Sequence, residues 1–160
     1  MNTVEALAAS IVCRYIEDDD VEFIHAAGTI SELAAGKTLF CEGDPGGSLF
    51  VILSGKLQIW KKAGPSDLLL LATLGPGEIL GEISLVDISP RSALATAETA
   101  ATLFELNRRD VMNLLRSRPV AAGRILWAIL ETLSLRLRDM NAEVVRWNVD
   151  QARDLPNADI

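Results

Sequence analysis

The chain has 160 residues, 49% of them hydrophobic, which is enough for one domain with a sizeable core. Its formal net charge of −7 argues against a surface that binds nucleic acid or anionic lipid. Its longest near-unbroken apolar run, residues 68–74, falls far short of the roughly 20 residues that a membrane-spanning helix needs.

Residues 1–28 are predicted to be a helical segment. Apolar residues spaced by threes and fours predict a helix over residues 3–16. The acidic run at residues 18–20 suggests either a divalent-cation site or, as we favour, an exposed loop and the N-cap of a second helix. His25 is the only histidine and has no partner for metal or base chemistry. Cys13 and Cys41 lack metal or redox spacing, which predicts a reducing cytoplasm.

The sequence pattern of residues 29–106 predicts a β domain. Short apolar segments alternate with glycines, and Asp44-Pro45-Gly46-Gly47 and Gly75-Pro76-Gly77 have the composition of turns. Residues 61–67 are predicted to form an exposed hairpin tip. Many short strands separated by such turns predict either a β-sandwich or a closed jelly roll.

The last third, residues 107–147, returns to helix. Asn107 is predicted to begin a short helix that stops before Pro119, and a long helix follows from about residue 120 to residue 147. Residues 148–160 are predicted to be a loose polar tail. The apolar positions of the long helix repeat every four and three residues and predict a homodimer seam, although packing on the chain's own barrel would use a similar face. These positions are Leu126, Leu130, Leu133, Leu137, Met140, Val144 and Trp147.

One stretch, residues 81–93, carries residue types suited to a ligand. Gly81 lets the backbone come close to a bound molecule, and the guanidinium of Arg91 offers a fork of donors suited to a phosphate. Ser92 adds a hydroxyl, and Glu82 adds an acceptor for sugar hydroxyls. These residues together predict a site for a small phosphorylated sugar ring. A structural ion pair between Glu82 and Arg91 is the alternative interpretation.

Five motifs in fixed order cover most of the chain, about residues 30–145. They are KTLF at 37–40 after Gly36, EGD at 42–44, SLFVILSG at 48–55, GPG at 75–77, and the stretch from GE at 81–82 to PRSA at 90–93. In this set the sequence resembles the cyclic nucleotide-binding domain family. That family includes the bacterial catabolite activator protein, the protein kinase A regulatory subunit and the cyclic-nucleotide-gated channels.

The resemblance implies the fold class, α+β but mainly β, a double-stranded β-helix jelly-roll barrel with N-terminal helices and a long C-terminal helix. It also implies a role for each matching residue. Residues 81–93 are similar to the family's phosphate-binding cassette. There Arg91 and Ser92 would hold the cyclic phosphate, with backbone N–H groups around Ile83, Ser84 and Ala93, and Glu82 would accept from the ribose 2′-OH. Met140 stands where the regulators place a hydroxyl, so Asn141 either supplies that base contact with its amide or is a solvated residue on the flank of the helix. In all, the positions that the resemblance implies for the pocket wall or for contacts with the base are Ile59, Leu71, Arg136, Met140 and Asn141.

The function predicted from these features is a sensor module for a cyclic nucleotide, cAMP first and cGMP possible, with no metal or other cofactor. The bacterial regulators carry a DNA-binding helix-turn-helix after the long helix, whereas here only the polar tail follows. A stand-alone cytoplasmic homodimer that signals through a partner protein, without direct nucleic-acid or membrane binding, is therefore expected. The alternative is a non-binding interaction domain of the same fold. A cupin-type enzyme needs clustered histidine ligands, so the chain is not expected to be an enzyme.

Overall fold

The computed structural model of the protein describes residues 2–153, with side chains for residues 2–149. The helices are α1 (Thr3–Ala8), α2 (Asp18–Ala27), α3 (Glu82–Asp87), α4 (Arg108–Ser117) and α5 (Pro119–Arg153), with a 3₁₀ turn over Ile11–Cys13. The strands are β1 (Thr29–Leu33), β2 (Thr38–Phe40), β3 (Ser48–Ser54), β4 (Leu57–Lys62), β5 (Leu68–Leu74), β6 (Ile79–Leu80), β7 (Leu94–Ala97) and β8 (Ala101–Asn107). The chain divides into two units, residues 1–128 and residues 129–160.

The strands form two four-stranded antiparallel sheets. The first has the order β1-β8-β3-β6 and the second the order β2-β7-β4-β5, so strands distant in sequence are neighbours in each sheet. One hydrophobic cluster joins the two sheets, with Ile52 of β3 and Leu103 of β8 from the first and Leu57 of β4 and Ala95 of β7 from the second. This architecture, with its flanking helices, confirms the predicted mainly-β jelly roll.

The N-terminal segment departs from the single helix predicted over residues 3–16. Helix α1 ends at Ala8, and a separate 3₁₀ turn follows. Tertiary contacts explain the break, because the backbone N–H of Ile11 donates to the carbonyl of Gly77 at 2.9 Å. The Ser10 hydroxyl also donates back to the Leu7 carbonyl at 2.6 Å. These bonds turn the chain so that Leu7 and Val12 are both fully buried.

Helix α2 begins at Asp18, so the acidic run predicted to be an exposed loop and N-cap is already helical. Its N-cap is Glu17, so Asp18, Asp19 and Asp20 all lie in the first turn, where their carboxylates complement the positive end of the helix. The Oδ1 atom of Asp20 also accepts from Nη1 of Arg118 at 3.1 Å. Among the described side chains, no group of three or more histidine, cysteine, aspartate or glutamate residues is placed to share a metal ion.

Strand β5 is the edge of the second sheet and is unusually apolar for its exposure. Its first four residues, all leucine, are exposed, whereas Leu74 at its end is buried. The pairing of β4 with β5 shifts between Ile59 and Trp60, so that Leu71 is the extra residue of a β-bulge. The loop between these strands is the hairpin tip predicted at residues 61–67, although Lys61 and Lys62 still belong to β4.

The C-terminal helices follow the prediction at their start but not at their end. Asn107 caps α4 through a reciprocal capping box with Asp110, and α4 ends at Ser117, before Pro119. Helix α5 continues to Arg153, so residues 148–153 are helical instead of belonging to the predicted loose tail. The rest of that predicted tail, residues 154–160, lies outside the described residues. Over residues 2–153, no helix is both long and apolar enough to cross a bilayer.

Candidate ligand-binding site

The cassette segment, residues 81–93, starts with a glycine that the backbone requires. Gly81 is the N-cap residue of α3 and has a φ of 80°, a left-handed conformation that side chains rarely adopt. A Cβ atom at this position would stand 2.5 Å from Nη1 of Arg91 and 2.8 Å from the carbonyl oxygen of Ser48. The absence of a side chain at Gly81 therefore lets the Arg91 guanidinium reach its place beside the backbone.

Arg91 lies deep in the first unit and is only 6% exposed. Its Nη1 atom donates to the Ser48 carbonyl at 2.7 Å and to the Ser84 hydroxyl at 2.8 Å, and its Nη2 atom donates to the Ser48 hydroxyl at 2.8 Å. The guanidinium also stands 4.5 Å from the ring centroid of Phe40 and 5.4 Å from that of Phe50. These contacts hold the cation in one orientation with both of its terminal nitrogens bonded.

Burial dominates the electrostatics of this arginine. Desolvation lowers the pKa of Arg91, while the negative charges of Glu105, Asp44 and Glu82 act in the opposite direction. An arginine side chain nonetheless remains protonated in proteins. Its Nε atom is buried and has no hydrogen-bond acceptor among the described residues. The site therefore contains a fixed positive charge whose Nε–H is still available as a donor.

The loop that carries Arg91 is held by the Glu42-Gly43-Asp44 turn. The backbone N–H of Arg91 donates to the carbonyl of Asp44 at 2.9 Å, and the N–H of Gly43 donates back to the carbonyl of Arg91 at 2.8 Å. The Asp44 carboxylate accepts from the backbone N–H of Cys41 at 2.7 Å, which closes the turn. Two motifs that are about fifty residues apart in sequence thus form one structural unit.

A lysine that the sequence did not single out supports the same loop. The Nζ atom of Lys61, at the end of β4, donates to the carbonyl of Ser92 at 2.7 Å and forms an ion pair with Glu42. The hydrogen bond from Lys61 is the main reason that the pKa of Glu42 is lowered below its ordinary value. Lys61 therefore ties the cassette segment to β4 and places a second cation beside it.

The structure brings most of the predicted cassette residues together, with different exposures. Glu82, Ser84 and Ala93 are buried, Ile83 is 47% exposed, and Ser92 is exposed. The Ser84 hydroxyl donates to the Gly81 carbonyl at 3.1 Å while it accepts from Arg91. The Ser84 hydroxyl is therefore a partner of Arg91, whereas the resemblance implied a role only for the backbone N–H groups around Ser84.

The predicted pocket-wall and base-contact residues lie elsewhere in the chain. Ile59 is half-buried against the core cluster, and Leu71 is 54% exposed at the bulge of β5. In the second unit, Met140 is 62% exposed, Asn141 is exposed, and Arg136 is half-buried. Their roles toward a base stay predictions.

Sequence reasoning did not identify Ser48, Phe40 or Lys61 as site residues. Ser48 and Phe40 lie within quoted motifs, but those motifs were interpreted only as strands and turns. Ser48 is separated from Arg91 by 43 residues, so no local pattern links the two. The one usable signal was the polar serine that stands directly before an apolar run, in SLFVILS at residues 48–54.

Comparison with curated proteins identifies relatives of this chain. Cyclic AMP receptor protein of Thermus thermophilus is 35% identical over 119 residues, which cover 74% of this chain and 53% of that protein. The chain thus spans about half the length of this curated relative. Glutaminase 1 of Bradyrhizobium diazoefficiens is 31% identical over 138 residues, which cover 86% of this chain and 22% of that enzyme.

Solved structures share the fold at full-domain scale. A cyclic nucleotide-binding domain from Methylobacillus flagellatus has a TM-score of 0.82 and 26% identity, covering 89% of this chain and 83% of that one. The c-di-GMP-responsive global regulator CLP of Xanthomonas campestris has a TM-score of 0.74 and 26% identity, covering 88% of this chain and 73% of that one.

The sequence profile described as the cyclic nucleotide-binding domain matches residues 30–118, more than half of the chain. This range contains both sheets, the cassette segment and α4. The match confirms the resemblance drawn from the five motifs, and this protein belongs to the cyclic nucleotide-binding domain family.

Proposed function

We propose that this domain is a receptor for a 3′,5′-cyclic nucleotide, with cAMP as the first candidate and cGMP as the second. The observation that carries the proposal is Arg91, a buried guanidinium whose Nε–H has no acceptor among the described residues. A buried charge and an unpaired donor both destabilise a structure unless a partner compensates them. A cyclic phosphate supplies that partner, because its negative oxygens match the donors of the fork.

The proposed roles rest on the chemistry of the residues and on the family to which the chain belongs. Arg91 binds the cyclic phosphate together with the Ser92 hydroxyl and with backbone N–H groups around Ile83, Ser84 and Ala93. Glu82 accepts a hydrogen bond from the ribose 2′-OH. Gly81 supports the site by leaving space for Arg91. Ile59 and Leu71 are the proposed apolar contacts of the base.

The relatives support more than one cyclic nucleotide. The Thermus thermophilus relative is named for cyclic AMP, whereas the Xanthomonas campestris structure is described as responsive to c-di-GMP. All of these ligands carry a phosphodiester, which is the group that Arg91 is proposed to bind. The titration that tests the proposal therefore includes cAMP, cGMP and c-di-GMP.

We propose that the output is a population shift and not a chemical reaction. The ligand binds better to one of two conformations of the chain and so favours it, and a partner protein reads the difference. The net charge of −7 makes direct binding to nucleic acid unfavourable, so the proposed partner is a protein. Cys13 and Cys41 are free thiols, which is compatible with the proposed cytoplasmic location.

Isothermal titration calorimetry tests the receptor proposal. The wild-type domain is expected to bind at least one of the three nucleotides, and Arg91→Ala is expected to weaken binding by about a hundredfold, because a buried charged partner is lost. Arg109→Ala is the matched control, since Arg109 is an exposed arginine on α4 and its loss should leave affinity unchanged. Unchanged binding by Arg91→Ala would remove Arg91 from the site.

The alternative function is an interaction domain that keeps the fold and self-associates through α5 without binding a nucleotide. The exposed apolar residues of that helix, such as Leu130, Leu137 and Val144, favour self-association under either function. Titration separates the two functions directly. A wild-type domain that releases no heat with any of the three nucleotides, and whose purified sample carries none by mass spectrometry, would support the alternative.

A further inference from the structure

We propose that Ser48, the first residue of β3, is a positioning residue that decides which edge of the Arg91 guanidinium meets the ligand. This inference rests on the proposed function, since it concerns how Arg91 is aimed at a phosphodiester. Ser48 is buried and contacts Arg91 with two atoms, its backbone carbonyl and its side-chain hydroxyl. No motif or family feature named above gives it that role.

The contacts divide the guanidinium into an occupied edge and a free edge. An arginine has five N–H groups, and its two terminal nitrogens share the end-on edge of the fork. Ser48 occupies this edge, because Nη1 donates to its carbonyl at 2.7 Å and Nη2 donates to its hydroxyl at 2.8 Å. Nη1 also donates to the Ser84 hydroxyl at 2.8 Å and, at 3.4 Å, to the carbonyl of Gly81.

Two parallel N–H groups remain on the side-on edge. One belongs to Nη2, and the other belongs to Nε, which is buried without an acceptor among the described residues. Two parallel donors are the arrangement that binds a pair of anionic oxygens in a bidentate manner. The geometry therefore assigns the Nε–Nη2 edge to the phosphodiester and the Nη1–Nη2 edge to Ser48.

Ser48 is rigid enough to act as a reference point. It pairs with Asn107 of β8 at the start of β3, and the next residue, Leu49, is fully buried. The rings of Phe40 and Phe50 restrict the plane of the guanidinium. Because these contacts orient the side chain before a ligand arrives, the ligand does not have to order a long, flexible arginine on binding.

The test compares Ser48→Ala with Ser48→Thr by calorimetric titration, using cAMP and the two phosphorothioate diastereomers of cAMP. Ser48→Ala removes the hydroxyl and is expected to weaken cAMP binding by about tenfold, because one charge-assisted hydrogen bond that orients Arg91 is lost. Ser48→Ala should also bring the affinities for the two diastereomers closer together. A guanidinium that is less firmly oriented distinguishes less well between the two exocyclic positions of the phosphate. Ser48→Thr keeps a hydroxyl and should restore both properties.

A double-mutant cycle with Arg91→Lys separates positioning from a general structural effect. A lysine has no fork to orient, so Ser48→Ala should change neither affinity nor diastereomer preference further in that background. An equal effect of Ser48→Ala in both backgrounds, or a tighter affinity in Ser48→Ala alone, would overturn the inference. A wild-type domain that binds none of the nucleotides would instead overturn the proposed function.

Nuclear magnetic resonance on the wild-type protein tests the edge assignment without a variant at Ser48. The Nε–H signal of Arg91, identified by its loss in Arg91→Lys, should move downfield when cAMP is added, because Nε–H gains a phosphate oxygen as acceptor. Bound cAMP that leaves this signal unchanged would show that the phosphodiester does not use the Nε–Nη2 edge.

Discussion

Arg91 is a buried cation whose hydrogen-bond acceptors at Ser48, Gly81 and Ser84 are neutral oxygens. Such acceptors satisfy N–H groups without cancelling the positive charge. The nearby carboxylates of Glu105 and Asp44 favour the charged form through longer-range attraction, which opposes the cost of burial. The residue thus keeps a positive charge available to an anion in a chain whose net charge is −7.

At the residue scale, Gly81→Ala is expected to destabilise the domain and weaken nucleotide binding. The left-handed backbone at φ 80° costs a residue with a side chain about 1–2 kcal/mol. The new Cβ would also stand 2.5 Å from Nη1 of Arg91, so the guanidinium would have to move. Urea unfolding measures the first effect and calorimetric titration the second.

Gly36→Ala is the matched control for this substitution. Gly36 has a φ of 77°, close to that of Gly81, but a Cβ there would meet no atom within 4 Å. The control should therefore show the backbone cost without any loss of affinity. Equal affinity of the two variants for the nucleotide would mean that Gly81 does not protect the position of Arg91.

At the element scale, the cassette segment depends on neighbours from other parts of the sheet. The loop around Arg91 exchanges two backbone hydrogen bonds with the turn at Gly43 and Asp44. Lys61 then connects the end of β4 to Ser92 and to Glu42. The segment therefore takes its shape from the turn before β3 and from β4, although neither is adjacent to it in sequence.

The ion pair between Glu42 and Lys61 predicts a pH dependence of stability. Because the folded pKa of Glu42 lies below its ordinary value of 4.5, the ionised carboxylate favours the folded state. This stabilisation is present above that ordinary value and is lost as pH falls through the lowered folded pKa. We expect the melting temperature of the wild type to fall more steeply than that of Glu42→Gln between about pH 6 and pH 3.

Differential scanning calorimetry across this pH range checks the expectation. The pKa of Asp87 is also lowered, by hydrogen bonds from Ser89, but Asp87 is present in both proteins, so its contribution cancels in the comparison. Parallel melting curves for the wild type and Glu42→Gln at every pH would show that the Lys61 contact adds nothing to stability.

At the scale of the whole molecule, the apolar stripe of α5 supports the proposed homodimer. Five of its predicted seam residues are 56–62% exposed, namely Leu130, Leu137, Met140, Val144 and Trp147, while Leu126 and Leu133 are half-buried. Large exposed hydrophobic residues repeated at heptad spacing are typical of a helix that pairs with another helix. We propose that a second copy of the chain covers this stripe.

Leu137→Asp is expected to raise the dissociation constant of this dimer by at least about a hundredfold, because each dimer loses two buried leucines and buries two charges. Leu135→Asp is the matched control, since Leu135 is similarly exposed at 51% but lies off the heptad positions. Sedimentation equilibrium measures both. Equal weakening by the two variants, or a wild-type protein that stays monomeric at every concentration, would contradict the proposed seam.

Much of the architecture was predictable from local patterns in the sequence. Apolar segments separated by glycines predicted the strands, and Asn107 marked the start of α4, where the structure shows its capping box with Asp110. The five motifs predicted the family, which the matched profile confirms. These features were predictable because turn chemistry, capping and strand alternation act between residues that are close in sequence.

Other features depended on residues that meet only after folding. The predicted helix over residues 3–16 was wrong because the backbone N–H of Ile11 donates to the carbonyl of Gly77. No local sequence pattern predicts a hydrogen-bond partner so distant in the chain. The same holds for the site, where the sequence marked Arg91 as the residue for a phosphate. Only the tertiary structure brought Ser48 to the Nη1–Nη2 edge and left Nε without an acceptor among the described residues. The physical reason is that the pairing of the antiparallel strands decides which distant carbonyl and hydroxyl lie beside the buried guanidinium.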